Sequence, residues 1–527
     1  MNSLKVLDVT LRDGGCVNDF DFGQTYMEKI LSAQEASGVD VIEMGYIDEN
    51  KGSYSGRTQY INERVISETI LKHKKSGVTY VAMMDYGKFD VDKLQNKTEN
   101  GIDGIRMAFH KKNRTDIISL GRKIIDKGYK FYIQPMITLR YSDMELLELI
   151  NMVNDKLPDA AGFYIVDSFG EMRPNDMSRV LNLVDHNLIP TMTLGFHSHN
   201  NLQMSYSNAI AMLQFPTNRD LMLDCSIMGM GKGAGNLNTE LLLEHLNLYY
   251  GKSYKIEPLL EVIDKVINQL HSEFYWGYAP EYYLSAANQC TPSYASHFYN
   301  KHMLPIDQVG ELLGMIAPEK KISFDKNYAE ELYRQYNESK TVDDSAAVED
   351  LKKAFVGKKV LLVAPGKSIV SAMDQIRSIA NQENVVSIGL NTKLDFVDYL
   401  LTTRKEIYDT AVAEGRKIIV CSNVSKGGRG NVIILNYANW IEVDERTHDS
   451  SSVIALNLLK ASNVERILLA GFDGFDVNIN ENYYDPNMRY PVNAEQVERR
   501  NNFYKQFIKK IKDDGIKVEF VTPSKYE

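Results

Sequence analysis

The sequence predicts an α/β protein in three parts: an N-terminal (β/α)8 barrel at residues 1–252, a helical extension with a linker at 253–350, and a Rossmann-like α/β domain at 351–527. Three observations support this division. Strand-like apolar runs and amphipathic stretches alternate up to residue 252, the strand pattern then stops, and a second alternation begins near Lys358. At 527 residues the chain also exceeds what one hydrophobic core usually organises, so several domains are expected.

The first region contains eight apolar runs of strand length. Eight β/α units in about 250 residues match a closed barrel, whereas an open doubly wound sheet usually has fewer strands and a phosphate loop after the first one. The predicted strands are Leu4–Thr10, Val39–Gly45, Val78–Met84, Gly104–Phe109, Lys130–Thr138, Gly162–Asp167, Thr191–His197 and Asp220–Ser226. The predicted helices are Gln24–Ser37, Glu63–Lys75, Ile117–Lys127, Asp143–Asn154, Asp176–Asp185, Leu202–Leu213 and Asn238–Tyr249.

The middle region loses the strand pattern and is predicted to be helical. An aromatic-rich segment at 274–283 supplies rings that are expected to anchor the core and an interface. The polar run Glu338–Asp350 is predicted to be a linker. The predicted helices are Glu257–Ser272, Ala286–Asn300, Pro305–Met315 and Tyr328–Glu338.

The last region restarts a β/α alternation and predicts a Rossmann-like domain. Its first strand leads through a glycine-containing turn into a helix that ends near Ala380. The predicted strands are Lys359–Val363, Val385–Gly389, Phe396–Thr402, Lys417–Cys421, Val432–Leu435, Ile467–Ala470 and Val518–Val521.

Composition and charge exclude several classes of protein. A net charge of −10 argues against broad nucleic-acid binding, which needs a basic surface. No apolar run reaches about 18 residues, so no membrane span is expected. The four cysteines are scattered without C-x-x-C spacing, so a disulfide framework or zinc knuckle is not expected. We therefore predict a cytoplasmic protein, and we expect a homo-oligomer.

A metal site is predicted at the carboxyl ends of the barrel strands. His197 and His199 are two residues apart at the end of a strand, so both imidazoles face the same space. Asp13, after the first strand, can add a carboxylate, and Asn236, after a glycine-rich loop, can add an amide oxygen. Such mixed nitrogen and oxygen ligands favour Mn²⁺ or Mg²⁺ over structural Zn²⁺.

These motifs resemble the barrel metal-dependent lyases, a family that includes HMG-CoA lyase, isopropylmalate synthase and 4-hydroxy-2-oxovalerate aldolase. The resemblance covers about residues 4–250. Its motifs are the segments at 10–14, 42–43, 197–200 and 233–236, followed by Thr239-Glu240. It implies that Asp13, His197 and His199 bind the metal and that Asn236 lies at or beside it. It also implies that Arg12 sits over the substrate oxygen and that Glu43 orients the site through Arg12.

Two departures from the family pattern bear on the reaction. The acetyl-CoA-condensing members carry Gly-Glu-Gln after the Arg-Asp pair, whereas this chain has Gly14-Gly15-Cys16, which weakens a synthase interpretation. The hydroxy-oxovalerate aldolases place a histidine, thought to act as the base, where Cys16 stands. Proton transfer must then come from metal-bound water, from Asp21 or from a tyrosine, for which Tyr294 is the candidate.

The predicted function is therefore a divalent-metal-dependent aldolase or lyase that acts next to a 2-oxo acid, with a 4-hydroxy-2-oxo acid as substrate class and an aldehyde as partner. A lysine Schiff base is disfavoured because the sixth strand, Gly162–Asp167, holds no lysine. Arg106 and Gln134, inside apolar strands, are expected to contribute to the site because their burial needs partners. One alternative is an acyl-CoA-condensing synthase on the same barrel. The other is a glycan-biosynthesis protein whose C-terminal domain carries the activity.

A second ligand site is predicted in the C-terminal domain at Gly366, Lys367 and Ser368. A Walker loop would need a glycine where Leu361 stands, so that motif is excluded. A strand, a glycine turn and a helix start can still bind an anion. The segments 363–368, 387–391 and 469–475 resemble those of Rossmann-type sialyltransferases and related glycan-assembly proteins, which implies a nucleotide or nucleotide-sugar at this loop. The alternative is a domain for oligomerisation or substrate transfer.

Overall fold

The chain forms two compact units, Met1–Ala295 and Ser296–Glu527, each with a parallel β-sheet of its own. The computed structural model describes residues 3–301, 304–425, 427, 431–444, 447–488 and 494–527. Within these ranges no helix has the length and apolar character needed to cross a bilayer.

The sheet of the first unit is a closed barrel of eight parallel strands. Strand β1 pairs with β8 on one side and with β2 on the other, which closes the ring. A two-residue strand, Gln59–Tyr60, extends the pairing of β2. The predicted eight-strand barrel is confirmed. The strands are β1 Leu4–Asp8, β2 Val41–Ile47, β3 Thr79–Asp85, β4 Gly104–Phe109, β5 Lys130–Pro135, β6 Gly162–Asp167, β7 Thr193–Ser198 and β8 Leu221–Cys225.

Helices alternate with these strands, and local sequence explains their ends. Helix α4 starts at a capping box of Ser142 and Glu145, and α1 ends at Gly38, whose φ of 84° is left-handed. The second helix ends at Thr69 and not at the expected Lys75, and beyond this end Lys74 Nζ lies 2.6 Å from Asp103 Oδ1. The helices are α1 Gln24–Ser37, α2 Glu63–Thr69, α3 Asp116–Asp126, α4 Asp143–Lys156, α5 Pro174–Asn187, α6 Ser205–Gln214 and α7 Thr239–Tyr250.

The first unit has two apolar layers, one inside the ring of strands and one between the strands and the helices. Alternate side chains of one strand enter different layers, as Leu7 packs inside the ring while Val6 packs against the helices. Burial on both faces explains why the strands are almost continuous apolar runs. Arg106, fully buried in β4, is one of a few charged side chains inside these apolar strands, together with Asp8, Glu43 and Asp224.

The helical segment predicted at 253–350 contains helices on both sides of the division between the units. A π-helical turn, Ile263–Ile267, separates the first two. The helices are α8 Glu257–Val262, α9 Asn268–Glu273, α10 Pro280–Ala287, α11 Pro292–Tyr299, α12 Ile306–Gly314, α13 Lys326–Glu338 and α14 Ser345–Phe355.

The second unit contains an open sheet of seven parallel strands in the order β13-β12-β11-β10-β9-β14-β15. The order reverses beside β9, as in doubly wound nucleotide-binding folds, and the predicted Rossmann-like domain is confirmed. Its strands are β9 Lys359–Val363, β10 Val385–Leu390, β11 Tyr399–Thr402, β12 Ile418–Cys421, β13 Val432–Leu435, β14 Arg466–Ala470 and β15 Lys517–Phe520. Its helices are α15 Met373–Ala380, α16 Lys405–Ala413, α17 Ser451–Ala461 and α18 Ala494–Asp513, and a small antiparallel pair joins Glu442–Val443 to Thr447–His448.

Candidate metal centre

Asp13, His197 and His199 form one buried cluster at the carboxyl ends of β1 and β7. Asp13 Oδ2 lies 3.6 Å from His197 Nε2 and 3.5 Å from His199 Nε2. One potential ligand atom from each residue lies within 4.8 Å of the other two. Because β8 pairs with β1 on one side and with β7 on the other, barrel closure brings these distant sequence positions together.

Asn236 adjoins this cluster through a tight loop. A backbone bridge pairs it with His199, and its Oδ1 is buried without a hydrogen-bond partner among the described residues. Gly235 permits the approach, since its φ is +82° and a Cβ there would lie 2.0 Å from the carbonyl oxygen of Gly229. An unpartnered buried amide oxygen beside a carboxylate and two imidazoles fits a cation site.

The protonation states also fit a cation. Desolvation opposes ionisation of Asp13, but Arg12 and the two imidazoles outweigh it and hold the pKa of the carboxyl well below its usual range. Desolvation lowers the pKa of the His199 imidazole to about 4, so this ring is neutral at pH 7. The cluster therefore offers one carboxylate and an imidazole lone pair, the forms that bind metals.

Both imidazoles are held through Nδ1, which leaves Nε2 directed at Asp13. His197 Nδ1 donates to Asp224 Oδ2 at 2.9 Å, and His199 Nδ1 donates to the carbonyl oxygen of Lys232 at 3.2 Å. Partners of this kind fix the tautomer of metal-binding histidines. Asp224 lies on β8 and was missed by the sequence analysis, although a lone acidic residue in the apolar run 221–225 is a signal that could have found it.

A chain of buried charges links this cluster to Arg12. Arg12 Nε donates to Glu43 Oε2 at 2.7 Å, and its Nη1 lies 3.2 Å from Asp13 Oδ1. Glu43 Oε1 lies 2.9 Å from Arg106 Nη1, and Arg106 in turn donates to Asp224. The network therefore runs without a break from the predicted substrate-binding guanidinium to the predicted metal ligands.

Arg106 and Gln134 belong to the same network. With its amide oriented to match the donors, Gln134 Oε1 accepts hydrogen bonds from Arg106 Nη2 at 3.1 Å and Nε at 3.3 Å. The Arg106 guanidinium also lies 4.8 Å from the ring centroid of Tyr164. These contacts supply the partners that burial of both side chains requires.

A second group of polar residues lies near Arg12 and was also missed. Tyr46, on β2, and Asp85, at the end of β3, interact electrostatically, and the charge of Arg12 acts on both. Burial, followed by the charge of Asp85, raises the pKa of Tyr46, and desolvation raises the pKa of Asp85. Both residues follow apolar stretches of predicted strands, which is where barrel enzymes place polar site residues.

The remaining predicted site residues are Tyr294 and the loop at 366–368. Tyr294 lies on α11 with a fully buried side chain. Gly366, Lys367 and Ser368 lie in the second unit, where Lys367 Nζ donates to Glu481 Oε1 at 2.7 Å. Their predicted roles in proton transfer and in nucleotide binding stay predictions.

The barrel and its centre define the class of protein, a barrel lyase of the aldolase type, as comparison with known proteins confirms. The HMGL-like family model matches residues 3–262. The chain is 30% identical over 246 residues to 4-hydroxy-2-oxovalerate aldolase 2 of Comamonas testosteroni, an alignment that covers 46% of this chain and 67% of the relative. The chain therefore belongs to the HMGL-like family and, within it, to the relatives of the 4-hydroxy-2-oxovalerate aldolases.

Two further comparisons agree with this assignment. The 4-hydroxy-2-oxovalerate aldolase of Marinomonas sp. (strain MWYL1) is 27% identical over 297 residues, which cover 54% of this chain and 85% of the relative. The crystal structure of the N-terminal domain of a candidate aldolase from Bacteroides vulgatus superposes with a TM-score of 0.50 at 27% identity, over 56% of this chain and 96% of that domain. The predicted family and enzyme class are confirmed.

Proposed function

We propose that the barrel cleaves or forms a carbon–carbon bond next to a 2-oxo acid, with a 4-hydroxy-2-oxo acid as substrate and with pyruvate and an aldehyde as products of cleavage. The observation that carries this proposal is Arg12 Nη2, a buried donor without a hydrogen-bond partner among the described residues. The other nitrogens of this guanidinium are occupied by Glu43 and Asp13. An anionic substrate oxygen at the metal centre would satisfy the remaining donor.

Asp13, His197, His199 and Asn236 are the residues we propose to hold a divalent metal ion. This set contains a carboxylate, imidazoles and an amide oxygen but no sulfur, and such ligands suit Mn²⁺ or Mg²⁺ better than Zn²⁺. When bound, the ion would supply Lewis-acid polarisation of the 2-oxo group, where negative charge accumulates during aldol cleavage.

The charges of the network support binding of a cation and then of an anion. Arg12 and Arg106 face the three carboxylates of Asp13, Glu43 and Asp224, which leaves one net negative charge in a buried place. A divalent cation would change this to one net positive charge, and a monoanionic 2-oxo acid would then neutralise it. Uncompensated buried charge is costly, so each binding step favours the next.

The side chains have separate proposed roles in the reaction. Arg12 stays protonated and donates to the substrate oxygen that gains negative charge, and Glu43 holds the guanidinium in place. Cys16 lies beside Asp13, with Sγ 3.7 Å from Oδ1, at the position where the family resemblance places a histidine base. We propose that Tyr294 moves the proton of the 4-hydroxyl group instead.

We also propose that the protein acts in the cytoplasm and as a homo-oligomer. All four cysteines are free, which supports a reducing compartment. Leu241, Leu248 and Tyr249 are exposed on α7 and give a surface that a second copy could cover.

The test is pyruvate release by the full-length chain after chelation and dialysis. We expect release from a panel of 4-hydroxy-2-oxo acids only after Mn²⁺ or Mg²⁺ is added back, with 2-oxo acids that lack the 4-hydroxyl group as controls. No release from any acid in the presence of bound metal would contradict the proposal. Consumption of acetyl-CoA with a 2-oxo acid would favour the condensing-synthase alternative.

Tyr294→Phe tests the proposed proton transfer separately. We expect a fall in kcat of about 10²–10⁴ with unchanged metal affinity, because only the proton-transferring group is removed. Tyr60→Phe is the matched control, since Tyr60 is also a buried tyrosine of this unit and its hydroxyl donates to the carbonyl oxygen of Met44. Equal activity of both variants would assign the proton transfer to another group.

A further inference from the structure

The second unit contains a cavity of about 610 Å³ that the aldolase reaction does not use. All residues that line it lie between 297 and 526, within the second unit. Its volume lies within the range of about 300–1,000 Å³ found for small-molecule sites. The cavity is therefore large enough for a ligand of its own.

The cavity lies at the carboxyl ends of four adjacent strands, β11, β10, β9 and β14. The residues that follow these strands, among them Asn391, Arg404 and Gly366, line it. The order of the strands reverses between β9 and β14, and ligands of open α/β sheets bind at such a reversal. Gly366 N donates to the carbonyl oxygen of Gly471 at 3.1 Å, so the two loops at the reversal lie close together.

Two cations of the cavity wall lack carboxylate partners. Arg499 and Arg500 lie on α18 and line the cavity, and neither guanidinium is in an ion pair with any residue that the structure describes. Arg500 instead lies 5.2 Å from the ring centroid of Phe475. Two adjacent arginines without carboxylates are suited to an anionic ligand, above all to phosphate, which a guanidinium binds through two parallel hydrogen bonds.

The main carboxylates of the wall are already engaged. Glu330 Oε1 lies 3.1 Å from His297 Nε2, and Glu330 Oε2 lies 2.9 Å from Lys301 Nζ. Asp449 Oδ2 accepts hydrogen bonds from two tyrosine hydroxyls at 2.6 and 2.8 Å. Asp473 Oδ2 accepts one from Ser368 N at 2.7 Å, and this contact occupies the loop amide that was predicted to bind an anion. Glu495, also on α18, adds one carboxylate to the wall, so Arg499 and Arg500 leave one net positive charge on this helix at the cavity.

Aromatic rings form another part of the wall. Phe503 stacks on His448 with a centroid distance of 3.7 Å and an interplanar angle of 7°, and Tyr504 stacks on Tyr526 at 5.6 Å. All four of these residues line the cavity. Such surfaces bind flat rings by stacking.

We propose that this cavity binds a phosphorylated small molecule with a flat ring, the chemistry of a nucleoside phosphate, and that Arg499 and Arg500 hold its phosphate. This proposal is independent of the reaction proposed for the barrel. A free nucleotide and a nucleotide joined to a sugar share this chemistry, and the test separates them.

The test is calorimetric titration of the full-length chain with nucleoside mono- and diphosphates and with nucleotide-sugars of each base. The corresponding nucleosides, ribose 5-phosphate and inorganic phosphate are titrated in parallel. We expect saturable binding that needs both the base and the phosphate. A higher affinity for nucleotide-sugars than for free nucleotides identifies the sugar conjugate as the ligand, and the reverse order identifies the free nucleotide.

Charge variants of one helix locate the site. We expect Arg499→Gln combined with Arg500→Gln to weaken nucleotide binding about 10- to 100-fold, the size of charge-assisted phosphate contacts. Lys505→Gln combined with Lys509→Gln is the matched control, since both lysines are exposed on α18 and do not line the cavity. His199→Ala should leave nucleotide binding unchanged, which separates this cavity from the barrel centre.

Several results would overturn the proposal. The first is that no phosphate compound binds the folded chain at millimolar concentration. The second is that inorganic phosphate binds as tightly as nucleotides. The third is that the arginine and lysine variants lose equal nucleotide affinity. Circular dichroism and the single variant Arg499→Gln guard against misfolding. Arg499→Gln keeps the contact of Arg500 with Phe475 and should still weaken binding several-fold.

Discussion

Asp224→Asn tests whether a residue behind the proposed metal ligands controls metal affinity. Asp224 Oδ2 accepts the Nδ1 proton of His197 and a hydrogen bond from Arg106, and its side chain is buried. The amide keeps the shape but removes the charge and can present an N–H group to the guanidinium. Because such partners fix the tautomer and basicity of metal-binding histidines, we expect a 10- to 100-fold loss of metal affinity, or about 1.4–2.7 kcal/mol.

The same substitution should also lower the free energy of unfolding. Breaking a buried ion pair costs about 3–5 kcal/mol, and we expect the lower end of that range because Arg106 keeps Glu43, 2.9 Å from Nη1, as a partner. The matched control is Asp185→Asn, which removes the partner of the buried Arg219, with Nε 2.9 Å from Oδ1, outside the centre. The control should lose stability but keep metal affinity.

The assays are calorimetric titration of metal-free protein with Mn²⁺ or Mg²⁺ and urea unfolding of each variant. Wild-type metal affinity in Asp224→Asn would refute the reasoning. Equal loss of metal affinity in Asp224→Asn and Asp185→Asn would refute it too, since the effect would then follow from stability alone.

Three further predictions concern His199, Arg12 and Glu330. His199→Ala should lose bound metal and pyruvate release together, as measured by metal analysis and turnover. The control His245→Ala changes a histidine near the exposed Tyr249 on α7 and should keep both. Retained metal in His199→Ala would refute the ligand assignment. Arg12→Lys should lower kcat about 10²–10³-fold at unchanged metal affinity, because a lysine keeps the charge but loses the forked donors of the guanidinium. An unaltered kcat would contradict the proposed donation from Arg12 to the substrate oxygen. The Glu330 carboxyl is desolvated, but His297 and Lys301 outweigh this and lower its pKa from 4.5 to about 2. The ionised Glu330 carboxylate therefore stabilises the fold fully above pH 4.5, and this stabilisation is lost as the pH falls towards 2. Urea unfolding should show that the free energy of unfolding falls by about 1–3 kcal/mol between about pH 5 and pH 2, and Glu330→Gln should lack this fall. An identical pH dependence in both proteins would exclude Glu330 as its source.

The strands were predictable because buried parallel strands are nearly continuous apolar runs, and their ends were found to within a few residues. The proximity of His197 and His199 was predictable because their two-residue spacing is a local pattern. Asn236 followed from a glycine-rich loop that lets the backbone approach closely. Each of these signals lies within a few consecutive residues of sequence.

The missed contacts depend on partners that are distant in sequence. Asp224 lies on β8 and Arg106 on β4, so no local pattern reveals that they pair across the inside of the barrel. In the second unit, Arg499 and Arg500 reach the cavity from α18, far along the chain from the β9 loop.

The closed ring of the barrel has a consequence for how the protein matures. The carboxylate comes from the first strand and the imidazoles from the seventh, so a nascent chain carries all three groups before β8 can close the ring between them. Ion capture should therefore be the last event in barrel maturation. The rate of Mn²⁺ uptake during refolding would then report the rate of ring closure, separately from the formation of individual helices.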